Sequence, residues 1–204
     1  MSDYKPQPNS NTERKRLVLM RGLPSCGKSW TATRIAEAGQ GAVIEFDAFF
    51  EEGSEADAEK KQFVWDRSRL PEARRWHYGR VRTAIEAGTS PLVIDDDHRP
   101  GVTAKSITAY AMLHNYSVEF AEPESSWWKM IAPLLADRDN PKNQALLCNW
   151  AQKLCVMSRN THRVPLSTFV ARMDGWIAEI SPLDLLSWRE LPSEGESEES
   201  EVAA

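Results

Sequence analysis

One octapeptide constrains this chain more than any other feature. Gly22-Leu-Pro-Ser-Cys-Gly27-Lys28-Ser29 follows an apolar, β-prone run at 17–21 and opens a helical pattern at 28–38. Strand, glycine loop and helix, in that order, are the parts of a phosphate cradle. The glycines let the backbone curl so that successive N–H groups and a helix N-terminus face an anion. Lys28 is then placed to reach the β- and γ-phosphates and Ser29 to ligate Mg²⁺. The expected ligand is ATP with Mg²⁺, held by Gly22, Leu23, Pro24, Ser25, Cys26, Gly27, Lys28, Ser29 and Trp30. The plainer alternative is a glycine-rich turn with a solvated lysine.

The rest of the chain fits that beginning. Short β-prone runs at 17–21, 42–46, 92–95 and 117–121 alternate with helical patterns at 28–38, 71–87 and 103–113, the signature of βαβ units and a parallel sheet. Three further helical stretches follow at 125–135, 141–157 and 166–177; the second carries Leu147, Trp150, Leu154 and Met157 on one stripe. The expected fold is α/β, a three-layer P-loop sandwich with a parallel sheet of about four to five strands and a helical lid over about 137–165. The domain is expected to run over 15–191, between a polar segment at 1–14 and an acidic one at 192–204, both read as disordered tails.

In open parallel sheets ligands bind beyond the carboxyl ends of the strands, which directs attention to the residues there. Asp47 follows Val43-Ile-Glu-Phe46 and is either a general base for an incoming hydroxyl or a helix cap. Asp95 ends Leu92-Val-Ile and has the form of an acid that holds Mg²⁺ or its water shell. A separate metal site from Asp95, Asp97 and His98 is the alternative. Arg67, Arg69, Arg74, Arg75, Arg80 and Arg82 fall within sixteen residues that hold one acid, Glu72, with Asp66 just before them. They read as a solvated helix face or as a guide for a phosphodiester strand. The tryptophans at 65, 76, 127, 128, 150, 176 and 188 stack bases or, for the most part, fill core. Cys26 is either a redox-sensitive thiol beside Lys28 or a small residue fitting its loop. In Arg159-Asn-Thr-His-Arg163, Arg159 and Arg163 sit in a basic loop; folded over a nucleotide, they would neutralise charge on a transferring phosphoryl group.

Composition narrows the setting. No apolar run approaches the roughly 20 residues that cross a bilayer, no secretory pattern precedes residue 15, and three cysteines make no even framework. A soluble protein with reduced thiols in a cytoplasm, with no membrane partner, is expected. The net charge of −5 is supplied by the five glutamates of 192–204, so the remainder is neutral and can still concentrate arginine on one face.

These residues resemble the phage-type polynucleotide 5′-hydroxyl kinase family, including related kinase-like domains of animal proteins. The resemblance runs over most of 16–177: the strand and loop at 17–29, Asp47, Arg74-Arg-Trp76-His, Val93-Ile-Asp95, Ser117-Val-Glu-Phe-Ala-Glu-Pro-Glu-Ser-Ser-Trp and Arg159-Asn-Thr-His-Arg-Val-Pro165, in that order. It implies that Lys28 and Ser29 serve ATP and Mg²⁺, that Asp47 is the base, and that Arg163, with Arg159, contacts nucleotide phosphates from a lid. The sequence departs from the family at Ser25, Trp30, Asp96-Asp-His98 and Phe50, the last standing where the phage enzyme has an acceptor-binding arginine. The foremost expectation is an ATP-dependent kinase for a nucleic-acid 5′ end. Two others stand beside it: a small-molecule kinase with a pocket lined by Phe49 and Phe50, and a nucleotide-binding interaction module without phosphotransfer.

Overall fold

β1 (Arg16–Met20) is the strand around which the protein is built: Leu17, Val18, Leu19 and Met20 are all fully buried, as in a parallel strand covered on both faces. The computed structural model describes residues 14–52, 62–96, 101–160 and 162–189. Most of the two expected tails, together with Asp97 and His98, lies outside the described residues.

β1 is followed by α1 (Lys28–Ala38), β2 (Ala42–Glu45), a 3₁₀ turn (Asp47–Phe50) and a two-residue ladder of β3 (Glu51–Glu52) with β4 (Gln62–Phe63). Next come a 3₁₀ turn (Arg67–Arg69), α2 (Leu70–Glu86), β5 (Leu92–Asp95), α3 (Val102–Leu113) and β6 (Ser117–Ala121). Four helices complete the order: α4 (Ser126–Ala136), α5 (Pro141–Met157), α6 (Leu166–Asp174) and α7 (Pro182–Ser187). The main sheet is parallel throughout, in the order β2-β5-β1-β6. The α/β class, the parallel sheet and its flanking helices agree with the expectation from sequence.

Alternation along β1 feeds two cores. Leu17 and Leu19 pack with Ile94 of β5 against Val81 and Ile85 of α2 and Ile107 and Ala111 of α3. Val18 and Met20 face Ala32 and Ala36 of α1, whose small side chains let that helix lie close to the sheet. Each large side chain so buried stabilises the fold by about 1.5–3 kcal/mol. A third core joins α4, α5 and α6 through Trp128, Ile131, Leu135, Leu147, Leu154 and Phe169, and it takes in Leu23 and Cys26 from the loop after β1. The loop is thereby anchored at both of its apolar residues.

Several sequence expectations change in detail. α6 ends at Asp174 and not at 177: Gly175 and Trp176 donate back to the carbonyls of Ala171 and Met173, and the turn brings Trp176 onto Trp128, ring centroids 5.3 Å apart. The buried stripe of α5 is Leu147, Ala151 and Leu154, with Trp150 half-buried and Met157 exposed. Of the tryptophans, only Trp128 and Trp176 are fully buried among the described residues. No described helix is long and apolar enough to cross a membrane.

Candidate functional site

The Gly22–Ser29 segment leaves the carboxyl end of β1 through three residues with positive φ: Gly22 at 143°, Ser25 at 60° and Gly27 at 86°. Two glycines are required here for different reasons. An added Cβ on Gly22 would lie 2.9 Å from both Cδ and Cγ of Pro123, whereas on Gly27 it would meet nothing closer than 3.6 Å. At Gly27 it is the left-handed backbone that excludes a side chain. That conformation turns the chain into α1, whose first N–H groups at Lys28, Ser29 and Trp30 have no acceptor among the described residues. Such a helix start, with its partial positive charge, has the electrostatics to receive an anion. Lys28 folds across the loop, Nζ donating to the carbonyls of Gly22 (3.1 Å) and Leu23 (3.2 Å); its third N–H remains available to a ligand. Ser29 is exposed, and the ring of Trp30, also exposed, is covered by the guanidinium of Arg34 at 4.8 Å.

The loop is held from outside by the segment joining β6 to α4, which sequence reasoning did not assign to the site. Ser125 Oγ donates to the Cys26 carbonyl (2.8 Å), Trp127 Nε1 to the Ser25 carbonyl (3.1 Å), and Thr31 Oγ1 accepts from the Glu124 N–H (3.1 Å). Arg34 pairs with the Glu124 carboxylate. The signal was present as Glu122-Pro-Glu-Ser-Ser-Trp-Trp128, a polar and aromatic stretch at a strand end. Cys26 is fully buried and desolvation pushes its thiol up to about 12, against the smaller opposing pull of Lys28. It packs as a small apolar residue and carries no thiolate at neutral pH.

β2 ends at Glu45, directly opposite Asp95 of β5, and Phe46 N–H closes the strand on the Asp95 carbonyl (3.3 Å). Asp47 therefore does not close the strand but opens the 3₁₀ turn, where it makes no capping hydrogen bond. Its Oδ2 instead lies 3.2 Å from Nδ1 of His162, with 45% of the Asp47 side-chain surface exposed. Partial burial raises the Asp47 pKa, His162 and Lys28 pull it down, and Asp96 and Asp95 push it up. Glu45 is raised as well, first by desolvation and then by Asp95, Glu51 and Asp47. Like charges thus converge at the carboxyl ends of β2 and β5, with the Lys28 ammonium within electrostatic reach. This is a field that a divalent cation would relieve. Among the described residues, no three His, Cys, Asp or Glu side chains are already gathered as metal ligands.

Phe50, expected to line a pocket beside Phe49, is fully buried. Its ring packs on Phe46, Phe49, Phe63 and Trp65, so it lines no acceptor pocket. The arginines near it separate. Arg69 lies over the Phe49 ring (4.7 Å) and Arg80 over Trp76 (4.9 Å), whereas Arg82 turns to Tyr110 and Glu86. Arg67, Arg74 and Arg75 are exposed.

Arg159 and Arg163 are brought together. Both line an open depression of about 440 Å³ with Cys155, Val164 and Pro165. Arg163 has φ 50°, an unusual conformation for a long side chain, fixed by its N–H bond to the Ser158 carbonyl at 2.8 Å. Neither arginine pairs with a carboxylate among the described residues. The link from this segment to the sheet is His162, on Asp47 and over Phe63, ring centroids 4.3 Å apart. In the sequence that histidine is only part of a basic loop, because a partner 115 positions away leaves no trace in local sequence.

No family model matches the chain. A stretch of 124 residues, 60% of the chain, is 34% identical to NEDD4-binding protein 2 of Homo sapiens; it spans only 7% of that protein's length. Among solved structures, 79% of the chain is similar to 77% of a chain from Chloroflexus aurantiacus provisionally described as a kinase, with a TM-score of 0.46 and 14% identity.

Proposed function

We propose that the protein is a Mg²⁺- and ATP-dependent kinase that transfers the γ-phosphoryl group to a hydroxyl, foremost the 5′-hydroxyl of a polynucleotide. The observation that carries this reading is the placement of a half-exposed carboxylate, Asp47, within electrostatic reach of Lys28 at the mouth of a loop with unused N–H donors. Donor groups for phosphate and an acceptor for a proton then flank one reaction centre.

In this reading the N–H groups at the start of α1 and the Lys28 ammonium bind the β- and γ-phosphates. Ser29 and Asp95 would hold Mg²⁺, which supplies charge neutralisation between the phosphate oxygens. Asp47 accepts the proton of the acceptor hydroxyl as its oxygen attacks the γ-phosphorus in line; the bond from γ-phosphorus to the bridging oxygen breaks and ADP leaves. Segment 137–165 acts as a lid, and Arg159 and Arg163 close on the transferring group while excluding water. Of the two rings expected to line a small-acceptor pocket, Phe50 is fully buried and Phe49 half-buried, which lends that alternative less support. Three free cysteines suit a reducing cytoplasm.

The test is a transfer screen: γ-labelled ATP and Mg²⁺ with 5′-hydroxyl DNA and RNA oligonucleotides and with hydroxyl-bearing metabolites. Label on the oligonucleotide 5′ end is the expected result. Label on metabolites alone, or ATP binding without transfer to any acceptor, would overturn the assignment.

A further inference from the structure

Trp30 directly follows the glycine-loop octapeptide, and the packing of the fold gives no reason for an indole there. With Arg34 and Glu37 it forms the exposed stripe of α1, whereas Ala32 and Ala36 of the same helix meet the sheet. The ring fills no core and is 59% exposed. Tryptophan is also a weaker helix former than alanine, so neither burial nor propensity gains from it.

The ring is nevertheless held. Arg34, one turn further along α1, lies over it with the guanidinium 4.8 Å from the ring centroid. Arg34 pairs in turn with the Glu124 carboxylate, and Glu124 is fixed by its N–H bond to Thr31 Oγ1 at 3.1 Å. One face of the indole is thus covered by a planar cation tied to the segment that braces the loop. No other ring or cation stacks on Trp30 among the described residues. A ring covered on one side and still 59% exposed presents its other face to solvent.

Position along the loop decides what that face meets. With Lys28 on the β- and γ-phosphates and Ser29 on the metal between them, the α-phosphate, which carries the nucleoside, falls to the next N–H along the helix, that of Trp30. Side chains of a helix lean toward its N-terminus, so the indole covers the turn from which the nucleoside emerges. We propose that the open face of Trp30 is the platform on which the base of the bound nucleoside triphosphate stacks. This rests on the reading of Gly22–Ser29 as a triphosphate site and adds recognition of the donor's base, to which a phosphate cradle is blind. Trp30 is also a position at which the sequence departs from the family it resembles, so the platform belongs to this chain. Stacking is tolerant of base identity, and a stacked face does not read the base edge. Overlap with the indole is larger for a purine than for a pyrimidine, so ATP and GTP are both accepted and both preferred to CTP and UTP.

The experiment is calorimetric titration of the full chain with the Mg²⁺ complexes of ATP, GTP, CTP, UTP and inorganic tripolyphosphate, with no acceptor present. Tripolyphosphate reads the cradle alone, and the nucleotides read cradle and platform together. In the unaltered protein ATP and GTP should bind more tightly than CTP and UTP. Trp30→Ala should weaken ATP binding by about 5- to 150-fold, erase the purine preference and leave tripolyphosphate binding as it was. Trp30→Phe, which keeps a ring, should retain most of the ATP affinity. Unchanged ATP affinity in Trp30→Ala would overturn the platform, as would the absence of a purine preference in the unaltered protein. Equal losses for ATP and tripolyphosphate would overturn it too, because the side chain would then act on the cradle and not on the base. Failure of the underlying reading has a different signature: a chain that binds neither ATP nor tripolyphosphate has no triphosphate cradle, and the platform falls with it.

Discussion

Substituting alanine at the two loop glycines separates strain from collision. Both residues have positive φ, so each pays for placing an L side chain in a disfavoured backbone region, about 1–2 kcal/mol. At Gly27 that is the whole cost, because the added Cβ meets Ser125 Cβ at an ordinary 3.6 Å. At Gly22 the same atom falls 2.9 Å from two ring carbons of a buried proline, Pro123. Overpacking of this kind adds about 1–3 kcal/mol. Gly22→Ala should therefore be the less stable variant by that margin, which for a chain of this size is a further loss in melting temperature of about 2–4 °C per kcal/mol. Urea unfolding followed by tryptophan emission measures the difference. Pro123→Ala, introduced into both backgrounds, isolates the collision: its coupling to Gly22→Ala should be about 0.5–3 kcal/mol and to Gly27→Ala near zero. Equal stabilities for the two glycine variants, or no coupling to Pro123, would refute the close approach of the β6–α4 segment to the loop.

Other consequences are open to direct measurement. Because Asp47 is raised and must be ionised to accept a proton, the acid limb of the transfer rate should lie above the ordinary aspartate range. His162→Ala, which removes a group that lowers Asp47, should move that limb further up; a pH–rate profile unmoved by this substitution would contradict the pairing. Glu45 is also raised, so in the window above its unfolded value the folded state holds more protons than the unfolded state. Stability falls there as pH rises. Glu45→Gln should thus raise the melting temperature at pH 7 relative to the unaltered protein and have less effect near pH 4. Iodoacetamide at pH 8 should label exposed Cys148 and spare Cys26 until urea is added, by mass spectrometry of the peptides.

What the sequence made legible follows from where local rules suffice. α1, β5, β6 and α5 begin and end at the residues their patterns indicate, since a glycine loop, a run of apolar residues or a proline at a first turn is a local signal. The same holds for Lys28 and Asp95, placed by a motif and by a strand end. Legibility fails where the determinant is distant. β2 stops at Glu45 because its pairing with β5 stops there, not because of anything in Phe46 or Asp47. The β3–β4 ladder is two residues per strand, too short for any period to register. α7 leaves little trace in the sequence although Ser181 and Asp184 form a reciprocal cap around Pro182, because its six residues bury only Leu185 fully. The contact of His162 with Asp47 and the bracing of the loop by Ser125 and Trp127 are products of tertiary packing alone.

The central claim is that Lys28 and Asp47 serve the two sides of one phosphoryl transfer. It is tested most directly by the rate of labelled γ-phosphate transfer from ATP to a 5′-hydroxyl oligonucleotide in the unaltered protein, Lys28→Ala and Asp47→Asn. Asp47→Asn should lower the rate by about 10²- to 10⁴-fold while ATP still binds, and Lys28→Ala should lose transfer together with ATP affinity. Transfer at the unaltered rate in both variants would contradict the account.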